Sequence, residues 1–161
     1  MNAAIDREQK ILLLVPEGHP DKRSHLSNLG IFLKARFDRL GDINDLNAAI
    51  EYEERALNLT PNGHPDRRSH LSNLSVSLKA RFRHRRDIND LNTAIEHGWE
   101  ALTLSSDGHP DKPSLHNNLR ISLSARFDFL DNIVDLDVAI EHGERALALT
   151  PDRHPDKPSY L

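Results

Sequence analysis

The chain has no cysteine, one methionine, one tryptophan and only 5% aromatic residues. Without cysteine, neither a disulfide framework nor a thiolate metal site can form. No apolar run approaches the ~20 residues that span a bilayer. The longest, Ile11 to Val15, is too short for the core of a secretory signal, and Asp6 and Glu8 precede it. A cytoplasmic setting is therefore expected, and the acceptor-like triplets Asn58-Leu59-Thr60 and Asn73-Leu74-Ser75 are read as coincidence. An excess of one charge is also missing. The chain carries 21 Lys and Arg against 25 Asp and Glu, a net of −4 with histidine neutral, and the signs are interspersed. A nucleic-acid footprint needs basic residues gathered on one face, so neither nucleic acid nor membrane is expected as a partner. The sequence has no Gly-rich phosphate loop and no His-Glu-x-x-His.

What the sequence does contain is an internal repeat. His-Pro-Asp occurs at 19–21, 64–66, 109–111 and 154–156, always 45 residues apart. Asn-Leu, Ala-Arg-Phe, Asp-Leu, Ala-Ile and Ala-Leu follow in the same frame, and residues 19–63 and 64–108 are identical at 28 of 45 positions. A period of this length marks a stack of supersecondary units. The content of 37% hydrophobic and 29% charged residues suits such a thin, well-solvated array. The frame divides the chain into a partial unit at 1–18, full units at 19–63, 64–108 and 109–153, and the start of a fourth at 154–161.

Each unit reads as two amphipathic helices. Helix A runs from about Lys22 to Leu40, with Leu26, Leu29, Leu33, Phe37 and Leu40 on one face. Unit two repeats this with Leu71, Leu74, Leu78 and Phe82, and unit three with Leu119, Leu123, Phe127 and Leu130. In unit three the first apolar residue slips to Leu115 and His116 takes the leucine position, so an adjusted or frayed helix start is expected. Helix B runs from about Ile43 to Thr60 with Ile43, Leu46, Ile50 and Leu57 facing inward; Ala49 and Ala56 leave room for a neighbour. Its counterparts are Ile88, Leu91, Ile95 and Leu102, then Ile133, Leu136, Ile140 and Leu147. No segment alternates with period two. Asp42, Asp87 and Asn132 are N-caps by type and place. Asp45, Asp90 and Asp135 put negative charge in the first turn, where the helix dipole favours it. Thr60-Pro61 and Thr150-Pro151 close helix B, and Gly18, Gly63 and Gly108 follow, with Arg153 as the exception. The densest basic run is Arg81, Arg83, Arg85 and Arg86 around His84. The other units lack it, and it is read as a solvated helix end.

His-Pro-Asp is also the signature of J-domain co-chaperones, but a J-domain carries it once and this chain four times. It is better read as the turn between helix B and the next helix A. Pro20 blocks helix extension, and Asp21 is placed to cap helix A toward Ser24. Pro113 and Pro158 fall in a first turn, where a missing N–H is tolerated. The turn histidines would form a ladder along one edge. Equivalent atoms of neighbouring units stand roughly 10 Å apart, a helix diameter, too far to share a metal. His25 and His70, six residues on, are the side chains with reach toward them. No metal site and no cofactor are expected.

Helix B of the first full unit, from Gly41-Asp42 through Ala49-Ile50 and Ala56-Leu57 to Pro61, resembles helix B of tetratricopeptide (TPR) repeats. Asn28-Leu29-Gly30 resembles the Asn-Leu-Gly of their helix A. The family unit is ~34 residues, so this one looks like a long variant, with extra length in helix A, the A–B connection and the His-Pro-Asp turn. The pattern Ala-Leu-x-Leu-Thr-Pro-x-x-His-Pro-Asp is similar to arrays in basidiomycete fungal proteins, often found with a caspase-like CHAT domain or signalling NTPases. One departure is clear. The family often has an aromatic residue where this chain has Glu53, Gly98 and Gly143. The two glycines suggest a close helix crossing, and Phe37, Phe82 and Phe127 supply the aromatic bulk instead.

The resemblance implies an all-α fold, a right-handed α-solenoid of antiparallel hairpins with about seven helices, whose A helices line a concave face. It nominates Asn28, Asn73 and Asn118 to hydrogen-bond an extended peptide, with Ser27 and Ser72 on the same face. Lys34 and Lys79 would meet an acidic side chain or a C-terminal carboxylate; Ser124 takes that place in unit three. The alternative role for the asparagines is hydrogen bonding between helices. Arg36, Arg81 and Arg126 form either a ligand-anchoring row or structural pairs with Asp45, Asp90 and Asp135. The pairs are preferred because both partners recur together. Catalysis needs convergent, unrepeated groups, and the serines and histidines follow the repeat, so the expected role is a non-catalytic protein–protein interaction scaffold. Neither end carries a polar capping helix. The chain is then either a piece of a longer array or a self-assembling protein forming head-to-tail filaments or tubes. A head-to-tail join would lack nineteen frame positions, the equivalents of 27–45, which mildly favours the piece.

Overall fold

The computed structural model describes residues 1–151. The fourth His-Pro-Asp, Arg153, Pro158 and the start of a fourth helix A lie outside them. Seven helices and no strand occupy the described residues: α1 (Asn2–Leu14), α2 (Lys22–Leu40), α3 (Ile43–Asn58), α4 (Arg67–Arg85), α5 (Ile88–Thr103), α6 (Lys112–Leu130) and α7 (Ile133–Leu149). The even-numbered helices are the A type and the odd-numbered the B type. Each A helix packs along the B helix that follows it (α2 on α3, α4 on α5, α6 on α7), and α1, α3 and α5 also meet the next A helix. The result is an all-α solenoid.

The leucine positions explain this packing. Leu26, Leu29, Leu71, Leu74 and Leu119 are buried, and so are Leu46 and Leu91 on the B helices. One apolar cluster joins Phe37, Ile50 and Leu57 to Leu71, Leu74 and Leu78, so the seam between units is continuous with the hairpin core. Phe82 continues the core into α6 through Leu119 and Leu123. Coverage stops at α7, where Ile133 and Ile140 are 59% and 54% exposed. The stripe is the same as in α3, but no described helix covers it.

Local signals set the boundaries. Asp42, Asp87 and Asn132 accept the N–H of Asn44, Asn89 and Val134 at 2.9, 3.0 and 3.2 Å. Helix A ends in a left-handed residue each time: Gly41 (φ 73°), Arg86 (φ 58°) and Asp131 (φ 56°). Only the first is the residue type that adopts this region without strain. Helix α3 stops at Asn58, short of the expected Thr60. Thr60 acts just past the end, donating its hydroxyl to the Ala56 carbonyl at 2.7 Å, as Ser105 does to Ala101 and Thr150 to Ala146.

Three expectations need correction. Asp21, Asp66 and Asp111 stand at the N-cap, but their carboxylates cap nothing. The histidine does this work instead: Nδ1 of His19, His64 and His109 accepts the N–H of the aspartate two residues on, at 3.2, 3.2 and 3.1 Å. Second, α6 is not frayed at His116. The helix is regular from Lys112, and both Leu115 and His116 are buried. His116 Nδ1 meets His142 Nδ1 at 2.7 Å, with Trp99 edge-on to His142. Third, Gly98 and Gly143 do not mark a crossing of backbones; side chains fill the space. Arg120 Cδ lies 2.9 Å from where a Gly143 Cβ would stand, and Leu119 Cδ1 lies 3.3 Å from that of Gly98. Unit one reverses the exchange. Its glycine is Gly30 on helix A, and Glu53 of helix B lies over it, with Cγ 2.6 Å from a Gly30 Cβ position.

Candidate functional site

Helix α2 approaches α4 directly, and α4 approaches α6, whereas the B helices make no comparable approach to one another. The A helices crowd and the B helices splay, so the A row is the inner, concave side. Its open face carries a recurring stripe: Ser24, Asn28, Ile31, Ala35 and Asp38 on α2, then Ser69, Asn73, Val76, Ala80 and Arg83 on α4, then Ser114, Asn118, Ile121, Ala125 and Asp128 on α6. All are exposed or half-buried. Spacing of three and four places each set on one helical face.

The nominated residues divide on this surface. Asn28 is exposed, and Asn73 and Asn118 are half-buried. Their side-chain amides take part in none of the hydrogen bonds among the described residues. Ser27 leaves the open row for the α2–α4 seam, where it is buried and its hydroxyl meets His70 Nδ1 at 3.1 Å. Ser72 is half-buried. Lys34 reaches both oxygens of Asp38 at 2.7 Å and sits 5.8 Å from the Phe37 ring centroid. Lys79 is only 7% exposed. Burial pushes its ammonium down to about 8, with the charges of Arg83, Lys34 and Arg120 acting the same way.

Lys34 and Lys79 open into one cavity of about 310 Å³ built from A helices alone, with Phe37, Asp38, Val76, Ala80, Arg83, His84 and Ile121. The basic run thus has a second aspect. Arg83, His84, Arg85 and Arg86 are exposed, as expected of a solvated helix end, whereas Arg81 is half-buried against Asp90, and Arg83 and His84 also line this cleft. The sequence carried the signal: Arg83 stands where the other units have Asp38 and Asp128.

Beneath the groove lies an unexpected carboxyl. Glu53 is 2% exposed, and burial pushes it up to about 7, against smaller opposing effects from Ser77 and Lys34. Ser77 Oγ is near enough to favour the ionised carboxyl, yet neither it nor Glu53 Oε2 has a partner within hydrogen-bonding geometry.

The arginine row is structural. Arg36 grips Asp45 with two bonds of 2.6 Å, Arg81 grips Asp90 at 2.7 and 2.5 Å, and Arg126 grips Asp135 at 2.8 and 2.6 Å. Such forked, charge-assisted pairs fix geometry as well as energy. Each guanidinium is held above its ordinary value, first by its aspartate's hydrogen bond. Arg126 also reaches Asn92 of the preceding unit at 3.1 Å. His25 and His70 bond into the seams, to Glu8 Oε2 (2.8 Å) and Ser27 (3.1 Å), and His70 also feels His64. No group of three or more metal-ligating side chains gathers among the described residues. No helix there is long and apolar enough to cross a membrane.

Comparison with solved structures adds a likeness in fold. The chain superposes on the crystal structure of a Podosopora anserina protein described as a kinesin light chain of nearly identical TPR-like repeats. The TM-score is 0.72, at 14% identity, over 99% of this chain and 73% of that one. This chain has the fold of a TPR-like repeat array. Known family models give no match, and neither do curated proteins.

Proposed function

We propose that this chain is a non-catalytic protein–protein interaction scaffold that binds an extended peptide along its A-helix groove. The carrying observation is the row Asn28, Asn73 and Asn118. These three amides recur once per unit on the open face, and none bonds to another group among the described residues. An amide has a donor and an acceptor for a peptide backbone. Ile31, Val76 and Ile121 beside them offer apolar contact, while Lys34 and Lys79 offer charge to an acidic side chain or a terminal carboxylate. Ser72 belongs to the rim of this site. Ser27, tied to His70, contributes to the wall behind it. The other polar groups of the frame, above all the Arg–Asp forks, are spent on holding hairpins together.

Binding of a random peptide library to the purified chain tests the proposal. Enriched peptides should lose affinity at least tenfold when Asn28, Asn73 and Asn118 are all replaced by alanine. Undiminished binding by a folded triple variant would reject the site.

A second reading is self-assembly, favoured by apolar ends. Ile133, Val134 and Ile140 on α7 and Leu13 and Leu14 on α1 are each more than half exposed. Large apolar side chains left exposed at both ends offer surfaces on which copies could meet. Light scattering across a concentration series should then show growth in size; a constant monomer would dismiss it.

A further inference from the structure

The cleft between α2 and α4 carries more positive charge than one carboxylate satisfies. Its lining brings together three cations, Lys34, Lys79 and Arg83, with the imidazole of His84, against one acid, Asp38. Asp38 is committed to Lys34 through both oxygens. No acid among the described residues pairs with Lys79. Its stem is buried, and the charges it feels are those of Arg83 and Lys34 and, from α6, Arg120. Glu53, from α3, acts on Lys34, and burial raises its carboxyl to about 7. The pairing of Lys79 with Arg83 occurs in unit two alone. Arg83 stands where units one and three have Asp38 and Asp128, and Ser124 replaces the lysine in unit three.

We infer that this cleft receives a phosphate monoester, carried on a side chain of the peptide bound in the neighbouring groove. The inference rests on the peptide-groove reading and names the chemistry of one position within it. Three arguments support it. A dianion interacts with each cation twice as strongly as a carboxylate does, and only a double charge offsets Lys79 and Arg83 together. A phosphate has three acceptor oxygens, enough to meet an ammonium and a guanidinium at once. The cleft also borders Val76 and Ala80 of the open stripe, so an ester arm from a peptide lying along Asn73 falls within reach. His84 is held edge-on to Phe37, ring centroids 5.1 Å apart, at the rim.

Nuclear magnetic resonance titration of the full chain tests this with two probes, N-acetyl-O-phosphoserine amide and N-acetyl-glutamate amide. The phosphate compound should bind at least tenfold more tightly and shift the amides of Val76 to His84. Arg83→Asp, which restores the acid of the other units, should abolish that preference. Lys79→Gln should weaken phosphate binding about tenfold. Affinity should fall as pH rises past 8 in the parent chain and not in Lys79→Gln. Equal binding of the two probes, shifts elsewhere, or a preference surviving Arg83→Asp would overturn the inference. The asparagine triple variant keeps the two proposals apart. It should lose peptide binding yet still bind the small phosphate probe, so retained peptide binding counts against the groove alone, and loss of the phosphate preference counts against the cleft alone.

Discussion

Replacing Glu53 with glutamine should stabilise the protein at alkaline pH and leave it nearly unchanged in acid. The carboxyl lies in the α2–α3–α4 junction over Gly30, 2% exposed, with Oε2 unpartnered. Burial raises it from an ordinary 4.5 to about 7. The unfolded chain therefore releases this proton at lower pH than the folded one. Stability is fully present below 4.5 and is lost as pH rises through about 7. At about 1.4 kcal/mol per pH unit, the loss amounts to roughly 3 kcal/mol above pH 8. Glutamine keeps the shape, cannot ionise, and brings an N–H donor within range of Ser77 Oγ. Urea unfolding of both proteins at pH 5 and pH 8 measures the effect. The variant should exceed the parent by roughly 3 kcal/mol at pH 8 and by under about 1 kcal/mol at pH 5. Subtracting parent from variant at each pH removes the contribution of the buried histidines, which acts in the opposite direction. A difference independent of pH would refute the claim that the carboxyl is buried and uncompensated.

Two further outcomes follow from side-chain pairs within the hairpins. Arg81→Ala should cost about 2 kcal/mol by thermal or urea unfolding, the worth of charge-assisted bonds to a buried carboxylate; a double-mutant cycle with Asp90→Ala that shows no coupling would mean the fork carries no energy. His116 is held down to about 4, first by burial and then by His142, so its contribution is intact above 6.5 and is lost as pH falls toward 4. His116→Leu, which restores the leucine of units one and two, should raise stability at pH 5 by roughly 2 kcal/mol relative to its effect at pH 8, and a parallel pH profile for parent and variant would contradict this.

Sequence alone determined the hairpins. Leucines at three- and four-residue spacing can be buried together only on a helix, and proline, glycine and N-cap residues recurring every 45 positions fix where each helix starts and stops. The Arg–Asp forks were legible for the same reason: both partners recur at a constant separation of nine, which spans one A–B turn. Tertiary structure decided which side chains of different helices meet. The exchange of Gly30 and Glu53 for Arg120 and Gly143 is invisible along the chain, because a void and the side chain that fills it lie on different helices. The meeting of His116 with His142, 26 residues apart, is hidden likewise. So is the cationic cleft, since Lys34 belongs to one unit and Lys79 and Arg83 to the next. Periodicity reports which face of a helix turns inward, and only the stacking of units settles which charges then stand side by side.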